Sequence, residues 1–224
     1  MAVPHVLLFG GYGKVAQLLT PLLLQRSWNV TSIIRNPEQI APLEKLGSGG
    51  SGKLTVLVRS IEDIKSEAQA KAVIDEVKPD YVVWSAGAGG KGPPERKPSW
   101  VNEAEWQQYL VASRNPLQRY YEAKLVADEE LYAARKKRND FAGISLRPAH
   151  FTSEPAGKVS LGKLSQADGF SSRASVAQLT ALLLESNAKS CWLDMLDGDE
   201  DPEVAVKRCV EEGVDAVEGE PFCS

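Results

Sequence analysis

The chain has 224 residues, of which 43% are hydrophobic and 25% are charged, and its formal net charge at pH 7 is −4. This composition suits a single domain over residues 1–224, and the acidic balance argues against a nucleic-acid partner. No apolar run approaches the ~20 residues of a membrane span, so we expect no membrane partner. Three cysteines without metal-site spacing, Cys191, Cys209 and Cys223, predict a reducing, cytoplasmic location and no metal site.

Strand-like and helix-like segments alternate along the first 84 residues. Apolar runs rich in β-branched residues occur at 6–9, 30–34, 54–58 and 81–84. Helical patterns lie between them at 13–26, 37–46 and 61–77. This order predicts an α/β fold with a doubly wound parallel sheet. The first helix is predicted to bury Val15, Leu18, Leu19, Leu22 and Leu23 and to be kinked at Pro21, and the glycine-rich stretch 47–52 is predicted to be a flexible surface loop.

The first predicted strand runs directly into closely spaced glycines. Gly10 suits a tight turn, Gly11 and Gly13 allow backbone to approach phosphates, and small Ala16 lets the next helix lie close to the strand. The helix N-terminus supplies unpaired N–H groups and a partial positive charge. The loop therefore predicts a dinucleotide pyrophosphate site, with a turn that holds nothing as the alternative. The residues assigned to this site are Gly10, Gly11, Tyr12, Gly13, Lys14 and Val15.

The end of the second predicted strand carries Arg35, about twenty residues past the glycine loop. An acidic residue there would bind the ribose 2′-hydroxyl of NAD, whereas Arg35 can pair with the 2′-phosphate of NADP. NADP is therefore the favoured cofactor, and NAD is the alternative. The remaining interpretation is that Arg35 is an exposed arginine that binds no ligand.

The fourth strand ends in small residues at 85–90. These residues would let a cofactor pass close to the backbone, or they would form an ordinary loop.

The second half of the chain continues the alternation. A helix is predicted to end at the basic run 135–138, which we interpret as a solvated helix terminus rather than a nucleic-acid patch. A strand over 141–146 follows, then a helix that begins near 173, a strand over 191–196 and a helix over 202–214. His150 follows the 141–146 strand, and a surface packing role is favoured for it over contact with a substrate or cofactor.

Five segments together resemble a known family: FGGYGKVA, IIRNPEQ, VVWSAGAGGKG, YYEAKLVADEEL and ISLRP. They are similar to the atypical short-chain dehydrogenases/reductases of the NAD(P)-binding, NmrA-like kind, and the resemblance covers most of the chain. It implies a Rossmann-like domain and a nicotinamide dinucleotide. It does not indicate the substrate, because the family includes reductases, epimerases and redox sensors without catalytic activity.

The resemblance also assigns individual residues. It places Arg35 on the adenosine phosphate, and it implies that Tyr120 and Lys124 are the Tyr-x-x-x-Lys pair on one helix face. Lysine would hold the nicotinamide ribose and stabilise tyrosinate, so that the phenol can exchange a proton with a carbonyl oxygen. Two residues on a solvated helix face are the alternative. The other residues implied to contact cofactor are Ser60, Ile61, Ala86, Gly87 and Pro148.

One expected element is missing from the sequence. In such sheets a helix and a fifth strand follow the fourth strand, and in catalytic members a serine at the end of the fifth strand supports the tyrosine. Residues 91–113 contain no such strand, which predicts the absence of a segment of roughly 40 residues, joined near 96–99. Either the 141–146 strand moves beside the fourth strand, or an apolar edge stays exposed. Ser99 and Ser113 do not follow strands, and loss of such a donor lowers rates by about 10² to 10³.

The sequence therefore predicts an NADP(H)-dependent oxidoreductase that acts on an unidentified small molecule. Two alternatives stay open. One is a dinucleotide-binding redox sensor or scaffold that signals through a protein partner, and the other is a catalytically impaired chain.

Overall fold

A computed structural model describes residues 2–86, 97, 99, 101–107, 118–166, 168–220 and 223, with 118–123 described by their backbone. The chain divides into two compact units, Met1–Gly87 and Ala88–Ser224, here called the first and the second unit. Each unit is described by itself. The single domain expected over residues 1–224 stays a prediction.

The first unit alternates strands and helices as predicted. Its four strands form one parallel sheet in the order β3-β2-β1-β4. The 54–58 and 81–84 strands occur with the predicted bounds, and the α/β fold class with a parallel central sheet is confirmed. The elements are β1 (His5–Phe9), α1 (Lys14–Gln25), β2 (Asn29–Ile34), α2 (Ile40–Gly47), β3 (Leu54–Val58), α3 (Glu67–Val77) and β4 (Tyr81–Trp84).

Two helices start later than the sequence pattern indicates. Pro37–Gln39 and Ile61–Asp63 are short 3₁₀ turns, and the α-helices begin only after them. The prediction of one helix over 61–77 is wrong because Ser66 provides a new N-cap, its hydroxyl accepting a hydrogen bond from the backbone N–H of Gln69 at 3.3 Å. The resulting α3 packs through Val73 on one face of the sheet.

The buried face of α1 also differs from the prediction. Leu18 is 41% exposed, and Val15 and Leu22 are half-buried. The residues that are buried instead follow the i, i+3, i+4, i+7 spacing from Ala16, because the small side chain sets which stripe of the helix approaches the sheet. These buried residues are Ala16, Leu19, Thr20, Leu23 and Leu24.

The glycine-rich loop after α2 has a packing role that its composition did not predict. A Cβ atom on Gly52 would lie 1.9 Å from the carbonyl oxygen of Trp28, and one on Gly50 would lie 2.5 Å from the Cβ of Leu24. The N–H of Gly52 donates to the carbonyl of Leu24 at 2.9 Å. The loop therefore lies directly on the C-terminal end of α1, and its glycines make that approach possible.

The second unit contains two small sheets. β5 and β9 are parallel, β7 is antiparallel to β9, and β6 pairs with β8 in a separate parallel pair. Residues 103–107 are helical. The elements are α4 (Gln118–Lys137), β5 (Ile144–Pro148), β6 (His150–Thr152), β7 (Val159–Gly162), β8 (Phe170–Ser172), α5 (Arg173–Glu185), β9 (Cys191–Asp197) and α6 (Pro202–Glu211).

Several helix and strand boundaries in the second unit differ from the predicted ones. The strand placed at 141–146 begins at Ile144, and the last helix ends at Glu211 because Gly213 adopts a left-handed conformation with φ of 62°. β6, β7 and β8 were not predicted, since strands of three or four residues are too short to show an alternating pattern. The basic run does lie in the last turn of α4, but Arg135 is 11% exposed and is bound to Asp215 at 2.9 Å rather than solvated.

β4 is the end strand of the first sheet. β5 pairs with β9 within the second unit, and the alternative in which this strand extends the first sheet beside β4 stays a prediction. Val82 and Trp84 are opposite Leu7 and Phe9 in the ladder and therefore lie on the sheet face that carries α3. They are 50% and 57% exposed, so large apolar side chains of the end strand remain in solvent.

A buried ion pair fixes the C-terminal segment to β5. The Arg147 guanidinium donates to the Glu220 carboxylate, and their side chains are 9% and 2% exposed. The guanidinium also lies over the ring of Trp192, 4.9 Å from its centroid. Burial raises the pKa of Glu220, although the neighbouring Arg147 cation acts in the opposite direction. Each of the two charges therefore compensates for part of the hydration that the other loses on burial.

Cys191 and Cys209 form no disulfide with any described residue, and we expect their thiols to resist alkylation in the folded chain. Burial raises the pKa of the Cys191 thiol to about 12, with a further contribution from Asp215, and burial also raises the pKa of Cys209. At pH 8 the thiolate fraction of Cys191 is then ~10⁻⁴, and its labelling rate should rise about tenfold per pH unit below pH 12. Iodoacetamide labelling followed by peptide mass spectrometry measures this rate, with the urea-unfolded chain as control. Equal labelling of Cys191 in the folded and unfolded chains at pH 8 would contradict the prediction.

Candidate functional site

The glycine loop after β1 makes a close backbone approach. Gly10 has a φ of 74°, and a Cβ atom there would lie 2.8 Å from the backbone N and Cα of Ala86. Its carbonyl accepts a hydrogen bond from the N–H of Gly13 at 2.8 Å, which closes the turn. Both the conformation and the space therefore require glycine at position 10. The loop brings two sequence-predicted site residues, Gly10 and Ala86, into contact.

Ser32 lies directly beneath the loop. A Cβ atom on Gly11 would lie 1.7 Å from the hydroxyl of Ser32, and the N–H of Gly11 donates to the carbonyl of Ile33 at 2.9 Å. Ser32 is fully buried, and its hydroxyl has no hydrogen-bond partner in the described part of the chain. The sequence analysis did not assign this residue to the site. The feature of the sequence that could have indicated it is a polar side chain within the otherwise apolar end of β2. The loop is thus hydrogen-bonded to β2 and lies in close contact with it.

The N-terminus of α1 opens onto this loop. Gly13 is the N-cap residue, so no side chain caps the helix, and the first turn contains no acidic residue. The first backbone N–H groups of an α-helix lack intrahelical partners and carry a partial positive charge. Tyr12 and Lys14 are exposed beside them, and Val15 is half-buried. The space at Gly10 and Gly11 that a Cβ atom would fill, here called the Gly10–Gly11 cradle, lies next to this uncapped helix terminus. This arrangement fits a pyrophosphate.

Arg35 lies at the carboxyl end of β2, immediately after Ile34. Its side chain is exposed and has no ion-pair partner among the residues that the structure describes. Arg59, at the end of β3, contrasts with it, because the guanidinium of Arg59 is bound to the Glu76 carboxylate at 2.6 Å. Of these two arginines at neighbouring strand ends, Arg35 is the one available to a phosphate.

Ser60 and Ile61, which the resemblance implies to contact the cofactor near its adenine, have structural partners in the first unit. The hydroxyl of Ser60 accepts a hydrogen bond from the N–H of Glu62 at 3.2 Å, which starts the 3₁₀ turn. Ile61 packs against the cluster formed by Leu7, Phe9, Ile33 and Val73. Their contact with cofactor stays a prediction, and Gly87 lies outside the described residues.

The predicted catalytic pair lies on α4, in the second unit. Tyr120 is described by its backbone alone, so the position of its phenol lies outside the described part, as does the side chain of Tyr121. Lys124 is half-buried and has an interaction partner. Pro148 is the last residue of β5 and is half-buried. The assignment of these residues to catalysis and cofactor contact stays a prediction.

No described helix is long and apolar enough to cross a membrane. Among the same residues there is no group of three or more His, Cys, Asp or Glu side chains that could hold a metal ion.

A parallel sheet whose first strand enters a glycine turn beneath an uncapped helix defines a Rossmann-like protein, and solved structures share this fold. A candidate NAD-dependent epimerase/dehydratase from Bacillus halodurans has a TM-score of 0.65 and 23% identity, covering 92% of this chain and 99% of that one. ChuY, an anaerobillin reductase from Escherichia coli O157:H7, has a TM-score of 0.57 and 19% identity, covering 88% and 99%. An alcohol dehydrogenase from Thermococcus sibiricus, complexed with 5-hydroxy-NADP, has a TM-score of 0.56 and 14% identity, covering 86% and 96%.

A relative with a similar sequence establishes the family to which this chain belongs. The UPF0659 protein C216.03 of Schizosaccharomyces pombe is 30% identical over an alignment of 230 positions, which covers 85% of this chain and 89% of the relative. The chain therefore belongs to the UPF0659 family. No protein-family model matches the sequence.

Proposed function

We propose that this chain binds NADP(H) and is an oxidoreductase of the atypical, NmrA-like short-chain dehydrogenase/reductase type. The single observation that carries the proposal is the Gly10–Gly11 cradle below the uncapped N-terminus of α1, with Arg35 at the adjacent strand end. The structural neighbours support it, since they include an NAD-dependent epimerase/dehydratase, a reductase and a dehydrogenase that holds an NADP derivative.

The proposed roles follow from the chemistry of each residue. The bound dinucleotide would supply or accept hydride. Backbone N–H groups of the glycine loop and the first turn of α1 hold the pyrophosphate, and Arg35 pairs with the adenosine 2′-phosphate. Tyr120 exchanges a proton with the substrate oxygen, while Lys124 holds the ribose and favours the tyrosinate. The substrate is a small molecule with a reducible group, and we place the protein in the cytoplasm.

We also propose that one helix and one strand are absent from an otherwise single Rossmann-like domain. The alignment with the Schizosaccharomyces pombe relative runs over 230 positions, yet 85% of 224 residues is about 190. About 40 aligned positions thus have no counterpart in this chain, close to the length of one helix and one strand with their loops. The exposed Val82 and Trp84 support the same proposal, because a helix following β4 would cover that face.

This loss favours a second function. The serine that normally ends the fifth strand supports the catalytic tyrosine, so its loss impairs catalysis. A cofactor-dependent redox sensor or scaffold needs only the dinucleotide site, which this loss does not remove. Tyr120→Phe separates the two: it abolishes NADPH oxidation in an oxidoreductase, and it leaves cofactor-dependent partner binding unchanged in a sensor.

Arg35→Ala tests the cofactor assignment. We expect the wild-type chain to bind NADPH at least about tenfold more tightly than NADH, because a charge-assisted contact to phosphate contributes about 1.5 to 3 kcal/mol. The variant should lose about 10- to 100-fold in affinity for NADPH and retain its affinity for NADH. Isothermal titration calorimetry with both cofactors measures the effect.

Arg59→Ala is the matched control for this experiment. It removes an arginine at the neighbouring strand end that is already bound to Glu76, so NADPH affinity should change little. Equal affinity of the wild-type chain for the two cofactors, or the same loss in both variants, would defeat the assignment of NADP.

A further inference from the structure

The outer edge of β4 carries backbone groups that face away from β1. The N–H of Ser85, directly after β4, donates to the carbonyl of Phe9 on β1 at 3.0 Å. Successive strand residues direct their N–H and C=O groups alternately to the two sides of the strand, so Val83 also faces β1. Val82 and Trp84 therefore direct theirs to the other side, where the described part of the sheet has no further strand. This edge offers hydrogen-bonding groups to another strand.

The side chains at the same two positions are apolar and exposed. Val82 and Trp84 lie on the sheet face that carries α3, and they are 50% and 57% exposed. The indole of Trp84 packs on the ring of Phe9, with 5.1 Å between the centroids. Because the sheet itself holds the indole, a partner would meet a preorganised apolar surface beside the backbone groups.

The two end strands of the sheet differ in the residues that discourage pairing. β3 is bordered by Lys53 and Arg59, and charged residues at an edge oppose contact with another strand. Residues 81–86, by contrast, contain no charged residue, proline or glycine. Asp80 precedes them, and its carboxylate accepts a hydrogen bond from the backbone N–H of His5 on the β1 side at 2.8 Å. The β4 edge is therefore the one suited to pairing.

We propose that the β4 edge binds the same edge of a second copy of this chain, with the two β4 strands antiparallel about a two-fold axis at Val83. In this register Val82 of each copy is opposite Trp84 of the other. These residues direct their backbone groups to the edge, so each such pair exchanges both hydrogen bonds. Opposite residues lie on one face, so the apolar side chains of both copies meet. The edge is thus its own complement, and a two-fold contact closes as a dimer.

The comparison with the Schizosaccharomyces pombe relative supports a strand as the occupant. About 40 aligned positions have no counterpart in this chain, and the strand proposed to be absent with them would follow β4 in the sheet. The β4 strand of a second copy supplies the hydrogen bonds that this strand would have made. The geometry of the edge is independent of that loss and of dinucleotide binding.

Sedimentation equilibrium of the full chain measures the dissociation constant of the dimer. Val82→Lys places a charge opposite the indole of the second copy and should raise this constant at least about tenfold. Val58→Lys is the matched control, because Val58 is a 41% exposed valine on the other end strand, β3, and the constant should not change. Circular dichroism checks that both variants fold.

A cysteine cross-link tests the register and does not depend on weakening the dimer. Val83 would be opposite its own copy in a non-hydrogen-bonded pair, where Cα atoms are about 4.5 Å apart and a disulfide can form. The two copies of Val82 would be diagonal neighbours about 7 to 8 Å apart, which is too far. With oxidised dithiothreitol, peptide mass spectrometry should find an 83–83 disulfide in Val83→Cys and no 82–82 disulfide in Val82→Cys.

Three results would overturn the proposal. One is a monomeric wild-type chain at about 100 µM, which would favour the alternative in which the 141–146 strand of the same chain extends the sheet. The others are equal weakening by Val82→Lys and Val58→Lys, and cross-linking at position 82 but not at position 83. NADPH titration is a separate measurement, so failure of the dimer and failure of the proposed cofactor site are distinguishable.

Discussion

Replacing Glu220 by alanine is expected to lower the free energy of unfolding by about 3 to 5 kcal/mol, because it removes the carboxylate that accepts a hydrogen bond from the buried Arg147 guanidinium. The two side chains are almost fully buried, and the guanidinium is enclosed between the carboxylate and the ring of Trp192. Water that would otherwise solvate the cation is thus excluded. Urea unfolding followed by tryptophan fluorescence and circular dichroism measures the loss.

Glu218→Ala is the matched control for this substitution. Glu218 is exposed in the same segment and accepts one hydrogen bond from the N–H of Ser99 at 3.1 Å, so its loss should cost less than about 1 kcal/mol. The double substitution Arg147→Met/Glu220→Leu should recover most of the stability, since it removes both charges together. Equal effects of Glu220→Ala and Glu218→Ala would show that the buried pair does not hold this segment.

The pH dependence of Arg147→Met provides an independent check. Burial raises the pKa of Glu220 in the folded chain, and removal of the Arg147 cation removes the main opposing effect. Between the unfolded and the folded pKa of this carboxyl, the folded state holds a proton that the unfolded state has lost. Stability therefore falls as pH rises through that window. We expect Arg147→Met to be more destabilising at about pH 8 than at about pH 5.

Gly10→Ala is expected to weaken NADPH binding by about 10- to 100-fold, equivalent to about 1.4 to 2.8 kcal/mol. The left-handed conformation at this position costs a residue with a Cβ atom about 1 to 2 kcal/mol. In addition, the new Cβ atom would lie 2.8 Å from the backbone of Ala86, which must move. Both effects displace the N–H groups that are proposed to hold the pyrophosphate. Calorimetric titration with NADPH, alongside thermal unfolding, measures them.

Gly49→Ala serves as the matched control for Gly10→Ala. Gly49 belongs to the other glycine-rich loop of the first unit and has no left-handed φ, and a Cβ atom added there would meet no described atom within 4 Å. Neither NADPH affinity nor stability should change. Normal NADPH affinity in Gly10→Ala would mean that the glycine turn is not the pyrophosphate site.

Part of the candidate site could be predicted from sequence and part could not. The turn at Gly10 was recognisable because glycine spacing after an apolar strand is a local pattern, and Arg35 because it follows the next strand at a regular distance. Ser32 was not, since its position under Gly11 depends on the register between β1 and β2. The helix faces were predicted less well than the helices: the stripe on α1 is set by what the sheet contacts, which moved Leu18 into solvent.

The amino-acid sequence by itself determined the order of strands and helices in the first unit and the glycine turn, because periodicity and turn chemistry act between residues close in the chain. Only the tertiary structure decided that β4 ends its sheet with Trp84 exposed, that Arg147 is paired with Glu220, 73 positions away, and that His150 lies beside Phe170. These contacts join residues distant in sequence, and their partners are selected by packing, strand register and burial, for which no local pattern exists.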